Sequence, residues 1–252
     1  MNENLDEIIT GCLLGDGCIS KYINNRNSNF RYLSSQKDHV VYIYKSIEFL
    51  FKLESNIKHR TYYDNRTNKT YNSYYFTTPV SEYFRNLRDI WYPYGDKIIP
   101  LDLMVTPTVL KYWYIGDGHL RNDGRIYLCT NGFSVSDVDA VVPKLKKYNA
   151  KRYLNNIKQP VIIIPRSKSK LFFDDIGECP IPSYSHKWKR VPYLIKGREF
   201  ELKKATEEEK KIMVEMYKNG KTYYAIAKEM GFSVSLVGHM LKRAGIYKSK
   251  LL

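Results

Sequence analysis

Two stretches of helical length stand out in the apolar pattern. Residues 8–17 read IITGCLLGDG and residues 110–118 read LKYWYIGDG. Each ends in Gly-Asp-Gly, and the two acids, Asp16 and Asp117, are 101 residues apart. After each, the pattern shifts to the two-residue period of strands. Hairpin strands are expected at 18–22 with 29–36 and at 119–120 with 125–131. The second strands close on look-alike sequences, YLSSQ at 32–36 and YLCTN at 127–131. A helix follows each hairpin, at 38–53 and 136–148, the latter with a kink at Pro143. Two further strands follow, 56–63 with 71–77 and 150–156 with 161–166. Helices near 80–90 and 167–176 close the halves. The chain thus reads as an α+β fold, with an αββαββα unit at 1–104 repeated at 105–188.

The pattern beyond residue 204 is helical throughout. Thr206, followed by Glu207, Glu208 and Glu209, caps a helix with Ile212, Met213, Met216 and Tyr217 inward, ending at Gly220. Thr222 caps a second, with Ile226, Ala227 and Met230 inward, stopped by Gly231. Ser233 caps a third, with Val234, Val237 and Leu241 inward. Helix, short glycine turn, helix is the helix-turn-helix pattern, here a small all-α module at 205–252. Residues 189–204 read as a basic linker.

Charge gives this layout a partner. The 252 residues carry a formal charge of +15, with 23 tyrosines and 43% hydrophobic residues. Residues 189–252 hold 15 Lys+Arg against 7 Asp+Glu, about half of the excess. Basic charge with abundant aromatics suits a polyanion. The polar, partly acidic start is no secretory signal, and no apolar run reaches the roughly 20 residues that span a bilayer. The four cysteines form no CxxC pair, so zinc is not expected. A reducing cytoplasm or organellar matrix is the expected location.

The Gly-Asp-Gly ends carry the chemistry. A carboxylate at a helix C-terminus opposes the dipole by about 0.3–1 kcal/mol. Two such ends brought together are tolerable with a divalent cation between them. Oxygen donors favour Mg²⁺ (or Mn²⁺), which binds one or two carboxylates, waters and a phosphate. Gly15 and Gly116 allow the helices to approach closely, and the last helix carbonyls are further metal donors.

With these motifs, residues 5–190 resemble single-chain, double-motif LAGLIDADG homing endonucleases. The resemblance implies two motif helices at a pseudo-twofold interface and two four-stranded sheets forming a saddle over double-stranded DNA. It implies that Asp16 and Asp117 bind metal, with the Gly15 and Gly116 carbonyls as co-ligands. It also implies that Gln36 and Asn131 order active-site water and that Lys97 and Lys187 are catalytic. Lys37 competes with Lys97 for that role. Lys111 and Thr10 stand where alanine is common, and Tyr112 replaces a motif glycine, so the interface is asymmetric.

The activity so implied is metal-dependent hydrolysis of both DNA strands by a monomer, intron-encoded or free-standing. DNA contacts are expected from Tyr22, Asn24, Arg31, Lys58, Arg60, Tyr62, Tyr71, Ser73, Tyr75, Arg125, Arg152 and Asn155 on the sheets. Arg66 and Lys69 in the 64–70 loop are expected to reach flanking phosphates, and Ser233, Ser235 and His239 to lie on a recognition helix. Two other readings stay open: a maturase acting on host intron RNA, and a non-catalytic DNA-binding regulator.

Overall fold

The computed structural model describes residues 4–21, 27–51, 57–189 and 205–246. The expected contacts Tyr22 and Asn24 and nearly all of the basic linker lie outside the described residues. The chain divides into two compact units, Met1–Val191 and Pro192–Leu252.

The first unit contains the repeat. Its first half runs α1 (Leu5–Leu14), β1 (Cys18–Ile19), β2 (Phe30–Ser34), α2 (Lys37–Phe51), β3 (Lys58–Asp64), β4 (Lys69–Thr77) and α3 (Glu82–Trp91). The second runs α4 (Pro107–Asp117), β5 (Gly118–Leu120), β6 (Ile126–Cys129), α5 (Val135–Val141), β7 (Lys151–Leu154), β8 (Pro160–Ile164) and α6 (Arg166–Ile176). A short α7 (Ser185–Trp188) follows. Each half forms a four-stranded antiparallel sheet, ordered β1-β2-β4-β3 and β5-β6-β8-β7. Local chemistry sets the boundaries. Asn4 accepts from the Asp6 amide to start α1, and Thr106 with Pro107 starts α4. Pro143 does more than kink a helix: α5 ends at Val141 and a 3-10 segment, Val142–Tyr148, completes the crossing.

One core joins the halves. Ile9, Cys12 and Leu13 of α1 and Tyr112, Trp113 and Tyr114 of α4 are fully buried within it, between the inward faces of both sheets. The helices approach so closely that a methyl on Gly11 would lie 2.6 Å from both the Tyr112 Cβ and the Val109 carbonyl oxygen. Gly11 thus makes room for Tyr112, the bulky residue of the second motif, whose hydroxyl donates to Ser46 at 2.9 Å. Gly11→Ala forces these backbones apart and is expected to cost about 3 kcal/mol, read as a lower urea midpoint at unchanged m-value.

The two look-alike strand ends are not structurally equivalent. Cys18 pairs with Arg31, whereas His119, the corresponding residue after the second motif, pairs with Tyr127. Arg31, not Tyr32, is therefore the counterpart of Tyr127. Tyr32 faces the core and Tyr127 the opposite side, and Asn131 matches Ser35 rather than Gln36. Because side chains alternate, this one-residue shift reverses the face.

The second unit has three helices, α8 (Glu207–Lys218), α9 (Tyr223–Met230) and α10 (Val234–Arg243), around Met213, Ile226, Ala227, Phe232, Val237 and Leu241. Thr206 and Glu209 form a reciprocal capping box, Thr222 and Ser233 cap the next two helices, and Gly231 ends α9 in a left-handed conformation. Ile212 and Val234, expected inward, are exposed, because the apolar stripe runs through their neighbours instead.

Candidate active site and nucleic-acid interface

The site forms where the motif helices end. A methyl on Gly15 would lie 3.4 Å from the Gly116 Cα, and one on Gly116 3.3 Å from the Asp16 amide nitrogen. Such contact between backbones brings the following residues, Asp16 and Asp117, into one electrostatic environment. Burial raises the pKa of both carboxyls. That of Asp117 is pushed up to about 6, by burial first and by Asp16 second, against the opposing pull of Lys97 and Lys187. Part of Asp16 remains solvent-exposed, and packing around its carboxyl still outweighs the two lysines.

Each helix end is held by a lysine from the segment that closes its half. Lys97 Nζ donates to the carbonyls of Leu13 (2.8 Å), Gly15 (3.3 Å) and Gly17 (3.0 Å). Lys187 Nζ donates to those of Ile115 (2.7 Å) and Gly116 (2.9 Å). Apart from that of Gly17, which lies beyond α1, these are carbonyls that a helix end leaves without intrahelical partners, at the negative end of the dipole. Burial lowers the pKa of both lysines, and the two acids counter it. The Gly15 and Gly116 carbonyls, expected as metal co-ligands, are thus engaged by lysine. Lys37 lies elsewhere, lining a cleft with Gln36, Asp38, Lys45 and Ser183. Gln36 and Asn131 are both exposed, just beyond β2 and β6.

A network absent from the sequence reading sits behind the acids. His39 and Tyr32 are fully buried, with His39 Nε2 2.9 Å from the Tyr32 hydroxyl and His39 Nδ1 3.0 Å from the Tyr184 hydroxyl. The Tyr184 ring lies 4.3 Å from Lys187 Nζ. Burial and the nearby Lys187 pull the His39 pKa down to about 3, so the imidazole is neutral. Two signals in the sequence point to it: Tyr32 falls on the inward phase of its strand, and Tyr184 precedes Lys187 by three residues, one helical turn.

Alternation places the open face of each sheet beside the acids, since Cys18 and His119 follow them by two residues. In the first sheet, register puts Arg31, Tyr75, Ser73, Tyr71, Lys58, Arg60 and Tyr62 on that face. They support one another. Arg31 stacks over Tyr75 at 4.6 Å, Arg60 Nε donates to Ser73 at 3.1 Å, and Tyr62 stacks on Tyr71 at 5.7 Å. Arg66 and Lys69 flank the exposed tip, where Arg66 pairs with Asp64 at 3.7 Å.

The second sheet places fewer of the expected residues on its open face. Arg125 lies near the Tyr127 ring (5.8 Å) and pairs with Asp123. Arg152 is on the other face: it pairs with Leu128's inward-facing neighbour Ile162 and its guanidinium is bound to Asp139 of α5. Asn155 builds the β7–β8 turn, its Oδ1 accepting from the amides of Ile157 and Gln159. In the second unit Ser235 and His239 are exposed on α10, while the Ser233 hydroxyl is occupied in capping.

Comparison with known proteins agrees with this architecture. A relative from Methanocaldococcus jannaschii, described as an uncharacterized protein, is 33% identical over 153 residues, covering 58% of this chain and 57% of its own length. The DNA endonuclease I-ChuI of Chlamydomonas applanata is 26% identical over 58% of this chain and 73% of its own. The cytochrome b mRNA maturase bI2 of Debaryomyces hansenii is 24% identical over 60% and 59%. The chain thus spans a little over half the length of two of these relatives. Among solved structures, the homing endonuclease I-WcaI bound to its DNA recognition sequence superposes with a TM-score of 0.65 at 23% identity, over 72% of this chain and 84% of its own. The LAGLIDADG DNA endonuclease model matches residues 6–172, two thirds of the sequence. The chain belongs to the LAGLIDADG DNA endonuclease family.

Proposed function

We propose that this chain is a site-specific endonuclease that hydrolyses one phosphodiester in each strand of double-stranded DNA with divalent metal ions. The pairing of Asp16 with Asp117 carries this reading. Two carboxylates share one partly desolvated site, each backed by a lysine and each two residues from an open sheet face. The donor set fits Mg²⁺ or Mn²⁺: two carboxylates completed by water and phosphate oxygens suit these oxygen-liganded ions. Asp16 and Asp117 would hold the metal, which when bound would supply Lewis-acid activation of water and charge stabilisation at the phosphate.

The chain's own residues do the rest. Lys187 donates to two carbonyls and so retains one N–H for a phosphate oxygen, while Lys97, with three carbonyl acceptors, fixes the α1 end and the local potential. The open face of the first sheet binds phosphates and base edges through Arg31, Lys58 and Arg60, with Tyr62, Tyr71, Ser73 and Tyr75 beside them. Arg66, Lys69 and Arg125 reach flanking phosphates. The three-helix unit extends the footprint as a helix-turn-helix reader through Ser235 and His239.

Selection of cleaved sites from a randomised duplex library tests the activity: enrichment of one long site with Mg²⁺, and none with EDTA, is expected. No enrichment with either metal sinks it. On that site, Arg60→Ala is expected to weaken binding and reduce the salt slope by about 1, whereas Arg152→Ala leaves both unchanged. In DNase footprints on the same site His239→Ala is expected to remove protection at one flank only; an unaltered flank excludes the recognition role. A second reading, splicing of host intron RNA, is favoured by the maturase likeness and the same basic face. Stimulated splicing without DNA cleavage would establish it instead.

A further inference from the structure

The two lysines at the motif ends are supported differently. Lys97 Nζ lies 5.6 Å from the Phe133 ring, which has no polar handle. Lys187 lies against Tyr184, whose hydroxyl is held by His39, and His39 is held in turn by Tyr32. Ser34 Oγ, 3.2 Å from His39 Nδ1, completes the cluster. A second tie fixes the same turn: Asp38 accepts from the Ser183 amide (3.0 Å) and hydroxyl (2.8 Å). Strand β2 and the start of α2, both from the first half, thus grip the turn that carries the lysine of the second.

The strand register explains why the other half has no equivalent. The counterpart of Tyr32 is Leu128, which has no hydroxyl, and that of Ser34 is Thr130, whose hydroxyl donates to the Pro160 carbonyl. The cluster is buried polar structure, which costs stability unless every group is satisfied. One end of the cluster is the Tyr184 ring beneath the Lys187 ammonium; the other, the Tyr32 hydroxyl, lies beside Gly116.

We propose that His39, acting through Tyr184 and assisted by the Asp38–Ser183 tie, is a positioning residue for Lys187, and that it governs cleavage of one DNA strand and not the other. This rests on the endonuclease reading above. Tyr184→Phe keeps the ring against the lysine and removes only its hydroxyl, which contacts His39 and, at 3.4 Å, Ser34 Oγ; His39→Leu removes the imidazole link, and His39→Gln restores a hydrogen-bonding group.

The test is single-turnover cleavage of a supercoiled plasmid carrying the selected site, with each strand labelled separately. Tyr184→Phe and His39→Leu are expected to slow one strand by about tenfold or more, with DNA affinity unchanged, so that nicked circles accumulate. The slowed strand is to be the one slowed in Lys187→Met. Adding Tyr184→Phe to Lys187→Met is to cause no further loss, and His39→Gln is to recover part of the rate lost in His39→Leu. Equal slowing of both strands, or wild-type rates in Tyr184→Phe, overturns the proposal even where His39→Leu does not fold. Wild-type cleavage with unchanged Tyr184→Phe rejects this inference alone. Absence of cleavage by the unaltered protein rejects the endonuclease reading and this inference with it.

Discussion

Asp117→Asn is expected to abolish cleavage, by about a thousandfold or more, while making the protein more stable and leaving DNA affinity nearly intact. The three effects have one origin. In the folded protein the Asp117 carboxyl has its pKa raised to about 6 from 3.8, chiefly by burial and then by Asp16. A folded-state pKa above the unfolded one means that the native state holds more protons between those values. The acid's contribution to stability is therefore present below about pH 4 and is lost as pH rises through about 6. At pH 7 the ionised group works against the fold, by about 1–2 kcal/mol once screening of this partly exposed side chain is allowed for. Asparagine removes that cost together with the anionic group proposed to hold metal. Thermal melts at pH 7 and pH 5 check the sign: the variant's advantage should shrink as the wild-type acid is protonated. Cleavage by the unaltered protein should fall below pH 6 for the same reason, since a proton competes with metal for the carboxylate.

Lys97→Met is expected to do the opposite to stability. Its ammonium satisfies three carbonyls at and just past the end of α1, and methionine fills similar volume with no donor. The orphaned carbonyls cost about 1–3 kcal/mol. The carboxylates also lose a neighbouring cation, so the Asp117 pKa should rise further above 6. Cleavage should fall by about a hundredfold at pH 7 and recover partly at higher pH. A urea midpoint together with a pH–rate profile separates these effects. A variant as stable as the wild type, with an unshifted profile, would show that Lys97 is a surface charge and nothing more.

What could be read from the sequence was what is local or repeated. Gly-Asp-Gly twice at one spacing marked Asp16 and Asp117, and caps such as Thr206, Thr222 and Ser233 announced their helices because capping is settled within four residues. Lys97 and Lys187 were legible only through the family resemblance, which places a basic residue at the close of each half, and their engagement of backbone carbonyls was not. Strand register was the first thing to escape. YLSSQ and YLCTN look equivalent, yet the residue opposite Cys18 is Arg31 and the one opposite His119 is Tyr127. Which face a side chain takes depends on a partner far away in the chain, and one residue of shift reverses it. Arg152 was misplaced for the same kind of reason: its position on β7 turns it toward Asp139. The Tyr32–His39–Tyr184 cluster links residues about 145 positions apart, a proximity that exists only once the two halves have closed on each other.

Asp16 and Asp117 are proposed to make this molecule a cutter of both DNA strands together, and the most direct measurement is cleavage at matched occupancy. The unaltered protein, Asp16→Asn and Asp117→Asn are each bound to saturation on the selected site and then given Mg²⁺. Linear plasmid from the unaltered protein alone, with both variants still bound, is the expected result. Linear product at the wild-type rate from both variants would contradict the assignment of these acids.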